Sequence, residues 1–196
     1  MQKIELEIVA LSHSITQSNS YAVILGEVNG LRRLPIVIGG FEAQAIAVAL
    51  ENMHPSRPLT HDLMKNFMTA FDIQLQEVYI CDLQEGIFYS KLVCYTANDT
   101  IEIDSRTSDA LALAVRFGCP IYVYANILDQ AGLENENAEK SISPSTTPTA
   151  PASNDLSSMS LAELNKLLQE VLEQEDYIRA IDIRDEINKK NAQKKS

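Results

Sequence analysis

Long apolar runs are missing from this chain. No window of its 196 residues approaches the 18 uninterrupted apolar residues of a membrane span. The opening MQKIELEIVA alternates apolar and charged residues, where a secretory leader would set a basic end before an apolar core. The expected location is therefore the cytoplasm, with no membrane contact. Cysteine is scarce: Cys81, Cys94 and Cys119 are odd in number, form no CxxC pair and fall in or beside strand-like stretches. That usage suits a reducing compartment and argues against a disulfide frame or a thiolate zinc site. P-loop glycines, GxSxG and HExxH are all absent, so nucleotide kinases, serine hydrolases and zinc proteases have no support. Basic charge is deficient too. The chain carries 27 acidic against 16 basic residues, net −11, with a pI near 4.7. Residues 1–132 alone hold 8 Lys and Arg against 15 Asp and Glu, leaving −7. Neutralised phosphates supply most non-specific affinity for nucleic acid. A nuclease built on this chain needs divalent metals, or a cluster of distant arginines such as Arg57 and Arg106, to offset the repulsion.

With 45% hydrophobic residues, the chain can bury one substantial core and add a small second module. Residues 2–11 alternate Ile4, Leu6 and Ile8 with Glu5 and Glu7, the pattern of a strand with one wet face; His13, just beyond, reads as solvated. Residues 20–28 and 31–38 are apolar runs joined by Asn29-Gly30, the dipeptide of a type I′ hairpin. Pro35 lacks an N–H, which puts its strand at an edge or a bulge. A helix is expected over 41–52, and a second from the N-cap Thr60, with Leu63, Met64, Phe67, Met68 and Phe71 on its apolar face. Residues 72–82, 86–96 and 101–104 read as a three-stranded meander with a turn at 84–86, and residues 121–124 as a last strand. This is an α+β domain, a mixed and mostly antiparallel sheet of about seven strands with about three helices, plus a C-terminal helical hairpin. Tyr79, Phe88, Tyr89 and Tyr95, at strand spacing, read as cross-strand packing more than as base-stacking platforms.

Polar residues gather at predicted helix starts. Residues 101–123 pass from strand to helix and set Asp104, Arg106, Ser108 and Asp109 around one such start. Unpaired N–H groups and the helix dipole can hold an anion there or orient carboxylates around a metal. Glu42 enters the first turn of the 41–52 helix, and His61 and Asp62 the start of the next. The bland alternative is three ordinary helix starts, with Ser105 or Thr107 as N-cap and Arg106 solvated.

The run I-D-S-R-T-S-D-A-L-A-L-A followed by G-C-P-I-Y-V resembles the signature of the bifunctional nuclease family, small proteins described as cleaving DNA and RNA. Leu34-Pro35-Ile36-Val37-Ile38-Gly39 leading to Glu42-Ala43, and Arg57-Pro58-Leu59-Thr60-His61-Asp62-Leu63, agree with it, and the three stretches together span residues 1–130. The resemblance implies metal-assisted phosphodiester hydrolysis. Glu42, Asp104 and Asp109 would hold Mg²⁺ or Mn²⁺, hard cations that prefer carboxylates. His61 would act as general base with Asp62 fixing its tautomer, while Arg57, Arg106 and Ser108 would bind the phosphate of a DNA or RNA substrate.

From residue 133 the composition turns to Ser, Thr, Pro, Ala and acids, and residues 133–158 read as a disordered linker between a 1–132 domain and a 159–196 hairpin. Leu161, Leu164, Leu168 and Leu172 recur at helical spacing, and Ile178, Ile181 and Ile187 do so again. So small a hairpin cannot bury its stripe alone and needs a partner. The segment with Leu164, Leu168, Asp176, Tyr177, Ala180, Arg184 and Asp185 resembles the UvrB/UvrC interaction motif, a helical hairpin that pairs with another copy of itself. The resemblance implies a homo-oligomer or a protein partner, with Leu164, Leu168, Tyr177, Ile181 and Arg184 at the contact. A generic coiled-coil hairpin remains the simpler reading. The acidic charge also leaves open a non-catalytic binding or regulatory module that acts through protein contacts.

Overall fold

The computed structural model describes residues 2–13, 20–53, 55–97, 99–134 and 159–173, together with Ala180, Ile183, Arg184, Glu186, Ile187, Lys189 and Lys190. The chain divides into two compact units, residues 1–143 and 144–196.

The first unit is built on one eight-stranded sheet. Its strands are β1 (Lys3–His13), β2 (Ser20–Glu27), β3 (Arg32–Gly39), β4 (Gln74–Gln84), β5 (Ile87–Tyr95), β6 (Thr100–Arg106), β7 (Ile121–Tyr124) and β8 (Leu133–Glu134). They lie in the order β6-β5-β4-β7-β1-β2-β3-β8. Every pairing is antiparallel except β4 with β7, which the long connection through β5 and β6 permits. The helices are α1 (Gly40–Leu50), α2 (Thr60–Ala70), α3 (Thr107–Phe117) and α4 (Ala125–Ala131). The fold is thus α+β and mostly antiparallel, with one short helix and one two-residue strand beyond the expected set. Leu133 and Glu134, expected in the linker, pair with Arg33 and Arg32 of β3.

Alternation decides which side chains enter the core. Val23 and Leu25 of β2 sit opposite Ile36 and Leu34 of β3, and all four are at most 3% exposed. On the other side of the sheet centre, Val78 and Ile80 pair with Ile121 and Val123. Each such fully buried side chain contributes roughly 1.5–3 kcal/mol by leaving water. Over this surface α1 packs against β2, β3 and α3, while α3 packs against β4 and β5. Ala43, Ala45, Ala47, Ala110, Ala112 and Ala114 are buried, and their small side chains let α1 and α3 approach closely.

One turn differs from expectation and another agrees with it. Asn29 and Gly30 do not take positive φ, so no type I′ turn forms there. A four-residue loop is closed instead by Glu27, whose carboxylate accepts from the Arg32 backbone N–H at 3.1 Å and from its guanidinium at 2.6 and 3.0 Å. The tight turn sits between β4 and β5, where Gln84 pairs with Ile87 and both Glu85 (φ 51°) and Gly86 (φ 81°) are left-handed. This is the double positive φ of a type I′ turn, which matches the twist of the flanking strands. Pro35 lies in the part of β3 that pairs with β2 alone, locally an edge of the sheet, where proline is tolerated.

In the second unit, α5 (Leu161–Glu173) starts with a capping box. The Ser160 N–H donates to Glu163 Oε2 at 2.8 Å, and the Glu163 N–H donates to Ser160 Oγ at 3.3 Å. Leu164 and Val171 are buried, Leu168 is half-buried, and the helical residues Ala180, Ile183 and Ile187 are buried as well. Lys190 Nζ donates to the Met159 carbonyl at 2.6 Å. Tyr177 and Ile181, expected at a partner contact, lie outside the described residues, as do residues 135–158 of the expected linker. Among the described residues no helix is long and apolar enough to cross a membrane.

Candidate active site

Two strand-to-helix junctions face one another. β3 runs directly into α1 at Gly39–Gly40, and β6 runs directly into α3 at Arg106–Thr107. These strands lie near opposite ends of the sheet order, yet residues 35–39 of β3 share a groove of about 600 Å³ with residues 86–89 and 104–108. The sheet therefore curls, bringing two helix N-termini to one concave surface. Glu42, Asp104, Arg106 and Ser108 all line it.

Beside the groove, whose lining holds Glu42 and Arg106 but neither Asp109 nor His61, side chains from three helices and one strand form a continuous chain. Arg106 is the N-cap residue of α3 and contributes no side-chain cap. Its guanidinium instead forks onto Asp109, with Nε to Oδ2 at 2.8 Å and Nη2 to Oδ1 at 3.1 Å. Nη1 donates to Glu42 Oε1 at 2.9 Å. His61 Nε2 meets Asp109 Oδ1 at 3.1 Å. An ionised carboxylate only accepts, so this contact puts the proton on Nε2 and leaves Nδ1 as the basic nitrogen of the neutral ring. Arg106 remains 67% exposed at its side chain, against 16% for His61. Gly39 makes room for the chain: a Cβ there would stand 2.4 Å from Glu42 Oε2.

Burial pushes the Asp109 carboxyl up, but the hydrogen bonds from Arg106 and His61 outweigh it and hold the group below the usual aspartate range. Asp62 behaves in the same way, with burial overcome by Arg116 and by the Leu59 N–H.

Asp62 does not orient His61. It accepts from Arg116 Nε at 2.6 Å and from the Leu59 N–H at 2.9 Å, so Leu59, not Thr60, is the N-cap residue of α2. Consecutive helical residues point about 100° apart, which separates an i,i+1 pair by geometry. Asp109 takes the place expected of Asp62. Arg57 is exposed before α2 and does not line the groove. Asp104 lines it but makes no hydrogen bond to the Arg106 cluster. Among the described residues no three His, Cys, Asp or Glu side chains come together as a metal-holding group. With Arg106 standing between Glu42 and Asp109, the expected carboxylate trio does not fit a resident ion. Ser105 and Thr107 do not cap α3; Thr107 Oγ1 is 2.9 Å from the Phe88 carbonyl and 2.7 Å from Ser90 Oγ. Of the aromatic strand residues, Tyr79 is buried with its ring 5.5 Å from Tyr124, whereas Phe88 and Tyr89 line the groove.

The Bifunctional nuclease domain matches residues 23–136. The chain belongs to this family. An uncharacterized protein of Mycobacterium tuberculosis is 47% identical over 115 residues, covering 59% of this chain and 68% of its own length. Bifunctional nuclease 2 of Oryza sativa subsp. japonica is 27% identical over 111 residues, 52% of this chain and 32% of the rice protein. Bifunctional nuclease of Oryza minuta is 28% identical over 106 residues, 52% of this chain and 31% of its own. The chain thus spans about a third of the rice proteins. The matched bifunctional nuclease region contains every residue of the Arg106 cluster. β1 precedes it, although the sheet needs that strand between β7 and β2.

Arg116 was not legible as a site residue. Its guanidinium is 5% exposed and binds Asp62 of α2, the Ala45 carbonyl of α1 at 2.9 Å and the Ala112 carbonyl of α3 at 2.9 Å. One signal was available: Arg116 falls four residues after Ala112, on the stripe that faces inward.

The two depressed aspartates fix a pH dependence. A carboxyl whose folded pKa lies below its unfolded value adds stability above the unfolded value, and that stability is lost as pH falls through the folded one. Stability should therefore decline progressively below about pH 4. Urea titrations of an Asp62→Asn, Asp109→Asn double variant should start lower at neutral pH and show a shallower acid limb. Parallel curves would contradict the assignment.

Proposed function

We propose that the first unit hydrolyses phosphodiester bonds in DNA and RNA, with Arg106 receiving the phosphate and His61 acting as general base. The observation that carries this reading is the Glu42–Arg106–Asp109–His61 chain at a groove, in a member of the bifunctional nuclease family. Arg106 uses three of its five N–H donors on carboxylates, and the remaining two, on an exposed group, are available to phosphate oxygens. Water attacks phosphorus as His61 Nδ1 takes its proton, the bond to the leaving sugar oxygen breaks, and solvent protonates that oxygen. Asp109 holds the Nε2 proton and stabilises the imidazolium as it forms. Ser108 lies in the groove wall as a further phosphate contact. Three free cysteines support a reducing, cytoplasmic setting.

The net charge of −11 favours a second reading, a binding or regulatory module without catalysis. Cleavage of single-stranded DNA and RNA by the purified chain separates the two, run with Mg²⁺, with Mn²⁺ and with a chelator. His61→Asn should lower the rate roughly 10²- to 10⁴-fold, the usual worth of a general base. Arg106→Gln should weaken substrate binding as well. Equal residual activity in wild type and both variants would point to a contaminating nuclease and favour the binding module.

We also propose that residues 159–196 form a hairpin pairing with a second copy or with the UvrB/UvrC motif of a DNA-repair protein. The capping box at Ser160 and the buried positions Leu164, Val171, Ala180, Ile183 and Ile187 support an amphipathic pair, with Leu168 and Arg184 toward its rim. Leu168→Asp should weaken association by light scattering while residues 1–132 keep their fold. Unchanged mass with no loss of partner binding would count against it.

A further inference from the structure

The groove carries an apolar surface that phosphate recognition leaves unused. Pro35 and Val37 of β3 and Ile87 and Tyr89 of β5 line it together with Arg106. Val37 and Ile87 are each 59% exposed and Tyr89 is 38% exposed, so these side chains face solvent and not the core. Tyr79 on the neighbouring strand shows what ordinary packing looks like: it is 3% exposed, its ring lies 5.5 Å from that of Tyr124, and Lys3 Nζ stands 4.2 Å from its centre. Strand register adds the position of Tyr89. It lies directly opposite Arg106 in the β5–β6 ladder. Such a pair puts both side chains on one face of the sheet, with Cβ atoms about 5 Å apart.

We propose that Tyr89 is a stacking platform for a nucleobase whose phosphate lies on Arg106, so that the groove takes unpaired nucleotides and not duplex. This rests on the phosphodiester reading of the Arg106 cluster and names the form of substrate that the site accepts. A nucleotide joins a flat apolar ring to an anionic phosphate through one sugar, and the groove sets a flat ring and a guanidinium at facing strand positions. Val37 and Ile87 extend the apolar surface on which a base can leave water. A base inside a duplex is already stacked on both faces, and it must be taken out of the stack before Tyr89 can meet it. Every base has a π-face, so a stacking subsite tolerates any sequence and serves DNA and RNA alike. Stacking also supplies affinity that needs no basic excess, which a chain of net charge −11 lacks.

Binding to the full chain tests it, with a hydrolysis-resistant phosphorothioate dinucleotide and its abasic counterpart, in which hydrogen replaces both bases, as the two probes. Wild type should bind the dinucleotide roughly 5- to 150-fold more tightly than the abasic probe, the usual worth of a stacked base. Tyr89→Phe should keep that ratio, and Tyr89→Ala should bring it close to one. Nuclear Overhauser contacts between the base protons and the Tyr89 ring, measured on wild type, give a second readout that needs no variant. Equal affinity for the two probes, or a ratio that Tyr89→Ala leaves unchanged, overturns the inference while phosphate binding at Arg106 stands. Binding of neither probe overturns both. If Tyr89→Ala fails to fold, the ring contacts decide, and their absence at saturation overturns the inference.

Discussion

The arrangement of the helices depends on one buried cation. Arg116 is almost fully enclosed and reaches a carboxylate on α2 and backbone carbonyls on α1 and α3. A guanidinium taken out of water is costly unless its donors are met, and removing one partner of such a pair typically costs about 3–5 kcal/mol. Asp62 is itself part-exposed, which puts this pair toward the low end of that range. One Arg116 nitrogen, Nη2, is buried without a partner in the protein, so the remaining contacts carry the compensation. Since His61 begins the helix that Asp62 anchors, Arg116 also sets the distance from His61 to Asp109.

The groove follows from that frame. Curling of the sheet brings the ends of β3 and β6 together, each strand turns at once into a helix, and the first turns of α1 and α3 deliver Glu42 and Asp109 to the same cation. Arg106 settles between two carboxylates that would otherwise repel each other beside a partly desolvated surface. The cluster sets one guanidinium against two carboxylates beside an imidazole. A phosphate must therefore compete with Glu42 and Asp109 for the guanidinium. The cluster thus adds no basic excess to a chain of net charge −11, and its contact with phosphate is short-range.

Much of this was legible in the sequence because it rests on short-range pattern. Alternating Ile4, Leu6 and Ile8, the turn around Glu85-Gly86 and the strand-to-helix run ending in Asp109 each declare local structure, and side chains from the three acidic or histidine-bearing helix starts are linked through Arg106 and Asp109. What escaped was set by distance or by competition. Asn29-Gly30 has the dipeptide of a tight turn, but the Glu27–Arg32 ion pair closes a wider loop. Asp62 looked like the partner of its neighbour His61, although adjacent helical residues diverge and the partner lies 54 positions away at Arg116. Asp104 is on the expected surface, two residues before Arg106 on the same face of β6, yet outside the hydrogen-bonded chain. The apolar side of α2 carries the exposed Leu63, Phe67 and Phe71; periodicity reports that a helix has an apolar side and not which way that side points.

The central claim is that the Arg106 cluster receives a phosphodiester. It is tested most directly by titrating the ¹⁵N-labelled chain with a hydrolysis-resistant phosphorothioate dinucleotide while following side-chain and backbone resonances. The account predicts that the Arg106 Nε–H signal moves most, with the amides of Thr107 and Ser108 and the ring of His61 moving alongside it. A titration that saturates with these signals unmoved, and with shifts confined to residues away from the groove, would contradict it.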